Sequence, residues 1–170
     1  MDKQEKYDVI DENENVIGQA TFDEINEKKL LHKITRVLIF NSKGELLLQK
    51  RSMKVYYNPG RWTSSSSGKV NFGESYEEAA GRELKEELGI ETKLTFLFKV
   101  RESEDVLAGI FKGFYDKEIK HETWEIEKVE FMPLEKVKSE MTDTPKKFSP
   151  GFVKTFEEFL RRQCKGGRLL

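Results

Sequence analysis

What this chain has little of narrows it first. Its 170 residues include one cysteine, Cys164, so no disulfide can close within the chain, and such sparse thiol usage fits a reducing cytosol. No apolar run approaches the ~20 residues that a membrane span requires. The opening MDKQEKYDVI is too polar for a signal peptide. Against 30 basic side chains stand 31 acidic ones, and a net charge of −1 gives no global field to draw in nucleic acid or an acidic membrane. Internal repeats, interdomain linkers and long low-complexity tracts are missing as well. The expectation is one cytoplasmic domain over residues 1–170, long enough for a proper core, with neither a membrane nor a nucleic-acid partner. Whether two copies form a homodimer stays open.

What is present concentrates in GKVNFGESYEEAAGRELKEELGI, residues 68–90. Ser75 and Glu78 have the spacing of a capping box, in which each side chain bonds the other residue's backbone N–H. Gly89 stands where a helix ends, because glycine reaches the left-handed conformation at little cost. On the helix between them, Glu83, Glu86 and Glu87 fan over roughly 100° of one face. Leu84 and Leu88 point to the neighbouring face as its anchor to a core. Like charges so spaced destabilise a helix by about 0.2–0.5 kcal/mol per pair. A solvated acidic face is the plain reading. Yet Lys85 points away from the cluster and Arg82 flanks it, so a hard divalent cation is the natural relief.

The stretch resembles the Nudix box, G-x5-E-x7-R-E-U-x-E-E-x-G-U with U aliphatic. Gly68, Glu74, Arg82, Glu83, Leu84, Glu86, Glu87, Gly89 and Ile90 fill every specified position. A chance match is on the order of 10⁻⁸ per starting point at ordinary residue frequencies. The resemblance implies an α/β fold, the α/β/α sandwich of Nudix domains with a mixed sheet. It also implies hydrolysis of a nucleoside diphosphate linked to another group, assisted by Mg²⁺ or Mn²⁺. Glu83, Glu86 and Glu87 are then the expected metal ligands and catalytic carboxylates. Glu74 and Arg82 are expected to form a salt bridge that orients the box, and Gly68 and Gly89 serve backbone geometry.

The rest of the chain reads as strands and short helices. Tyr7–Ile10 and Val16–Ala20 suggest a hairpin, followed by a helix FDEINEKK capped by Thr21, which makes residues 1–32 an N-terminal unit. Ile34–Phe40 and Glu45–Lys50 read as partner strands across the turn NSKG. The segment RSMKVYYNPGRWTSSSSG reads as a loop, its serine run forming part of a site wall. Lys93–Arg101 and Val106–Tyr115 read as strands about ESED, Trp124–Met132 as the last strand, and LEKVKSE as a short helix. An amphipathic helix closes the chain at about 150–163, with Phe152, Phe156, Phe159 and Leu160 on one side. Strands alternating with a few helices suggest a mixed sheet covered on both faces.

A second resemblance is wider. LLHKITRVLIFNSKGELLLQKRS, PGRWT, the opening VIDENENVIG and the late FSP are similar to isopentenyl-diphosphate isomerases. That family moves protons with a cysteine and a glutamate, and two histidines help hold its metal. Here Ser67 stands where the thiol belongs, Lys69 where a histidine belongs, and Ile25 replaces one metal histidine while His32 matches the other. Serine is too weak an acid to replace a thiol without an activating base, and the box is intact rather than eroded. Hydrolysis is therefore favoured; isomerisation and a non-catalytic nucleotide-binding module are the alternatives. The resemblance further implies Arg51 as a diphosphate contact, assisted by Lys54. Glu125, six residues before Phe131, is the candidate for a further metal carboxylate, with Glu122 as its rival. Trp62, Tyr56 and Tyr57 are candidates to stack on a base or line a prenyl-sized pocket, although such aromatics are core more often than not.

Overall fold

The computed structural model describes residues 5–119, 121 and 124–164. The central strand is β3, His32–Phe40, and its alternation explains the layers. Val37 and Ile39 face one side of the sheet and Leu38 and Phe40 the other, all fully buried. The element before it is a hairpin, β1 (Lys6–Ile10) with β2 (Val16–Thr21), followed by helix α1, Phe22–Lys28. Thr21 caps α1 in a reciprocal box with Glu24, as its position suggested. Strand β4, Leu46–Arg51, returns antiparallel beside β3, the two joining at Phe40 and Leu46.

Beyond that junction β3 and β4 part, and the serine segment enters between them. It is not a loop throughout: β5 (Trp62–Thr63) pairs with β4, and β6 (Ser66–Lys69) pairs with β3. Ser64, Ser65 and Ser66 are fully buried. The reason is hydrogen-bond accounting. Ser65 Oγ donates to the Leu47 carbonyl at 2.6 Å and accepts from the Ile39 N–H at 2.8 Å, so one small hydroxyl ties both diverging strands.

Helix α2, Tyr76–Leu88, starts at the Ser75–Glu78 box and ends at Gly89, whose φ of 64° is the left-handed cap expected of glycine. Its Ala80, Leu84 and Leu88 pack with Val37, Ile39 and Leu47 on one face of the sheet. Strands β7 (Thr95–Ser103) and β8 (Val106–Phe114) form the far side, with β8 parallel to β3. Strand β9, Ile126–Met132, pairs with β4. The opposite face is covered by α3 (Leu134–Asp143) and α4 (Pro150–Cys164). Val137, Phe152, Phe156 and Phe159 from these helices close over Leu38, Phe40, Leu46 and Leu48. The architecture is the expected α/β sandwich around a mixed sheet. No helix among the described residues is long and apolar enough to cross a membrane.

Candidate active site

One cavity of about 540 Å³ opens where α2, β3, β6 and the N-terminal unit meet. Gly68, Lys69, Arg82, Glu83, Glu86, Glu87, Arg51 and Glu125 all line it. Seven of the nine candidate residues thus fall in or beside one space once Glu74 is counted through its arginine. Arg82 grips the Glu74 carboxylate with Nε and Nη2, both at 2.9 Å, a bidentate pair of the kind that fixes orientation. Its Nη2 also donates to the Lys69 carbonyl at 3.1 Å, so the box and β6 are clamped together. The Asn71 N–H donates to Glu74 at 2.9 Å, and both this bond and Arg82 hold Glu74 below the ordinary carboxylate range against its partial burial.

The acidic fan is graded rather than uniform. Glu86 stays open, with its side chain 61 % exposed. Glu83 is largely covered, and Glu87 is buried under β6. Glu87 accepts from the Ser67 N–H at 3.1 Å and from Gln49 Nε2 at 3.3 Å. Burial, with the neighbouring Glu83 charge, still pushes its carboxyl up to about 8. Burial also raises Glu83, although Arg82 Nη1 donates to it at 2.7 Å. Arg82 does more than flank the fan, since the same Nη1 lies 3.4 Å from Glu86. Lys85 does turn away, pairing with Glu91. Gly68 makes room for this arrangement: a Cβ there would lie 2.0 Å from the Glu83 carboxylate.

Oxygen-only donors, two of them held proton-prone by burial and by neighbouring carboxylate charge, suit a hard divalent cation, which would displace those protons. As placed, no three His, Cys, Asp or Glu side chains among the described residues already form a closed metal cage. Across the cavity Arg51 spends its Nε on the Tyr57 carbonyl at 2.8 Å. Burial lowers its affinity for a proton, and the charges of Glu87 and Glu125 oppose that. Its terminal nitrogens have no hydrogen-bond partner among the described residues.

Two expected substrate contacts are not brought together with the rest. Trp62 is 8 % exposed and packs in the core with Leu48 and Phe148, its ring covered by Lys128 Nζ at 4.9 Å. The pairing of β5 with β4 turns it away from the cavity. Lys54 is exposed on the loop after β4 and does not reach the lining. Tyr57 lines the cavity, while Tyr56 is 82 % exposed. Glu122 lies outside the described residues. His32 is buried, its Nδ1 3.0 Å from the Leu30 carbonyl, and burial holds its pKa below the usual value.

Residues that escaped the reading of the sequence form the cavity floor. Arg36 Nε bonds Glu102, and its Nη2 reaches the other Glu102 oxygen at 2.8 Å. Its Nη1 donates to the hydroxyls of Thr63 at 3.2 Å and Ser64 at 3.3 Å, and Thr155 donates to Glu102 at 3.0 Å. Gly151, after the FSP segment, completes this packing, for a Cβ there would meet Glu102 Oε2 at 2.0 Å. The available signal was an arginine inside the apolar run of β3, which demands a buried partner.

Comparison with known proteins agrees with the geometry. The model of the family described as NUDIX domain matches residues 30–152. A prenyl-diphosphate phosphatase of Methanosarcina mazei is 32 % identical over 160 residues, spanning 88 % of this chain and 94 % of that protein. An isopentenyl-diphosphate Delta-isomerase of Serratia proteamaculans is 29 % identical over 153 residues, spanning 85 % and 86 %. In fold, a Deinococcus radiodurans crystal structure superposes with a TM-score of 0.79 over 93 % of this chain and 98 % of its own, at 23 % identity.

Proposed function

Because the chain belongs to the Nudix family, and to its isopentenyl-diphosphate-isomerase-like branch, we propose that it is a divalent-metal-dependent hydrolase that cleaves the diphosphate of a nucleoside diphosphate derivative. Hydrolysis of a small diphosphate follows from the family; the metal and the nucleotide are our reading. The observation that carries it is the placement of half-buried Glu83 and buried Glu87 in one cavity with Arg51, whose terminal nitrogens have no hydrogen-bond partner among the described residues. Glu83, Glu86 and Glu87, with Glu125 at the edge, would hold Mg²⁺ or Mn²⁺. Bound there, the metal supplies Lewis acidity and neutralises phosphate charge.

The chain's own groups do the rest. Arg51 offers two donors to phosphate oxygens. A glutamate of the fan accepts the proton of the water that attacks one phosphorus, and the bridging P–O bond breaks to leave two phosphate products. Glu74 and Arg82 position the fan without touching substrate. A prenyl diphosphate is the second reading, favoured by the Methanosarcina relative over nearly its whole length. The cavity lining weighs against a long prenyl chain, because Tyr7, Ile34, Tyr57 and Val106 are its main apolar side chains among many charges. Isomerisation is disfavoured by Ser67, whose side chain lacks the acidity of a thiol.

Release of phosphate and pyrophosphate with Mg²⁺ tests the reading, screening nucleoside diphosphates, triphosphates, nucleotide sugars and prenyl diphosphates, with Glu86→Gln as control. Nucleotide turnover that disappears in the control supports it. Turnover of prenyl diphosphates alone replaces the substrate class, and rearrangement of isopentenyl diphosphate without phosphate release overturns hydrolysis.

A further inference from the structure

Lys69, like Arg51, is a cation of the cavity that neither the box nor the floor uses. It ends β6, and its backbone is held by Arg82. Three rings surround its ammonium. Nζ lies 4.4 Å from the Phe22 ring centre, 5.7 Å from that of Tyr7 and 5.8 Å from that of Tyr57. Each ring comes from a different element: Tyr7 from β1, Phe22 from the start of α1, and Tyr57 from the loop after β4. Phe22 and Tyr57 brace each other edge to face at 6.1 Å. Ring faces attract an ammonium but accept no conventional hydrogen bond. Among the described residues no oxygen lies within hydrogen-bond or ion-pair distance of Nζ, so its three donors are unspent.

The charges around it are mixed. Glu83 and Asp105 favour its protonated form, Arg51 opposes it, and burial lowers its pKa to about 8. An ammonium and a guanidinium facing one space repel until an anion joins them. Neither carboxylate serves as that anion, since Glu83 accepts from Arg82 and Asp105 accepts from the Ser103 hydroxyl.

We propose that Lys69 is a substrate-binding residue that donates hydrogen bonds to the diphosphate opposite Arg51, and that Tyr7, Phe22 and Tyr57 are positioning residues that hold its ammonium in the cavity. The proposal rests on the diphosphate reading above and goes beyond it. It gives the N-terminal hairpin and α1 a part in the site: Tyr7 and Phe22 lie outside the segment matched by the family model. Rings rather than a carboxylate make the cage because they fix the ammonium without spending its donors.

The test is calorimetric binding of methylenediphosphonate, which cannot be hydrolysed at its bridge, measured with and without Mg²⁺. Lys69→Met keeps the length and loses the charge; it is expected to weaken metal-free binding at least tenfold. Lys69→Arg should restore most of that loss. Phe22→Leu, which keeps the charge and frees it, should weaken binding about threefold, and it carries the test if Lys69→Met does not fold. Mn²⁺ affinity, read by electron paramagnetic resonance, should stay within twofold in Lys69→Met and in Phe22→Leu. Unchanged diphosphonate affinity in folded Lys69→Met overturns the proposal, as does failure of the wild type to bind the diphosphonate. Loss of Mn²⁺ affinity with diphosphonate affinity retained also overturns it, in favour of a role in holding the metal. A wild type that binds diphosphonate through Lys69 yet hydrolyses no diphosphate leaves this inference standing and removes the hydrolase reading.

Discussion

Gly68→Ala separates the chemistry of the site from the stability of the fold. Its added methyl would sit 2.0 Å from the Glu83 carboxylate, against the ~3.5 Å at which carbon and its neighbours rest. Something must move by roughly 1.5 Å. The atom in the way is the far end of a flexible side chain, so Glu83 swings and the backbone stays. The stability cost is therefore small, within about 1 kcal/mol, because no core contact is lost. The functional cost is large, since a displacement of about 1 Å in a catalytic group can cost on the order of 10²-fold. The assay pairs kcat/KM on the substrate found by the screen with urea unfolding of the same preparation. The expected result is a ~10²-fold fall in kcat/KM with an unfolding free energy within about 1 kcal/mol of wild type. Activity within threefold of wild type would refute the argument that the placement of Glu83 against β6 matters. A large loss of stability would refute the claim that Glu83 alone yields.

Other expectations follow from the same packing. Glu102→Leu leaves the Arg36 guanidinium buried without its partner, so urea unfolding should report a loss of about 3–5 kcal/mol, with much of it recovered in Arg36→Met/Glu102→Leu. Trp62→Ala should cost about 3–5 kcal/mol of stability, whereas Trp62→Phe should leave KM unchanged, because the ring packs in the core. Burial holds His32 below its ordinary 6.5, so as pH falls through that value the unfolded chain takes up a proton that the folded chain refuses. Stability should drop across that window until His32 protonates in the fold, and His32→Gln should flatten the drop in unfolding free energies measured between pH 7.5 and 5.5.

The features legible in the sequence are those written in neighbouring residues. The cap at Thr21, the capping box of Ser75, the glycine stop at Gly89 and the Phe152–Phe156–Phe159 stripe each depend on spacings of a turn or two, and each stands as read. The salt bridge of Glu74 with Arg82 was legible for a different reason: the box pattern records an eight-residue contact that spacing alone does not reveal. What escaped depends on pairing across the sheet. The serine run reads as a loop in sequence, and only the divergence of β3 from β4 makes room for the two short strands β5 and β6 that flank its buried hydroxyls. Trp62 misled for the same reason. An aromatic next to a site loop and an aromatic at the base of a core have the same composition, and the β5–β4 register decides between them.

Lys69 extends that reasoning to the site itself. Its position in the sequence marks only that a histidine of the isomerase-like pattern is absent. Its surroundings come from three other elements: β1 at Tyr7, α1 at Phe22 and the loop after β4 at Tyr57. No local pattern encodes such a cage. The hairpin, α1 and β6 must first dock, and docking buries an ammonium whose attraction to the rings is weaker than the hydration it gives up. A fold that accepts this arrangement without supplying an acceptor keeps a cation ready for an anion. An anion with several oxygens, bound between Lys69 and Arg51, removes both the desolvation cost and the repulsion between the two cations. The box carboxylates beside it repel the same anion until divalent charge offsets them. The two halves of the cavity therefore set the order of affinities: diphosphonate binding should tighten with Mg²⁺ in the wild type and in Lys69→Met alike, while only the wild type should bind it measurably when the metal is removed.

Phe22 stands 47 positions before Lys69, Tyr7 stands 62 before it and Tyr57 stands 12 before it. Two of the three rings therefore reach the ammonium only through tertiary docking, and closing loops of that length brings an entropic cost that the packing of Tyr7 with Val9, Ala20 and Ile25 must offset. Weakening that packing is accordingly expected to loosen the cage before it unfolds the sandwich. Ile25→Ala should reduce metal-free diphosphonate affinity toward that of Phe22→Leu, and an affinity unchanged from wild type in the folded variant would show that the N-terminal unit does not hold Lys69 in place.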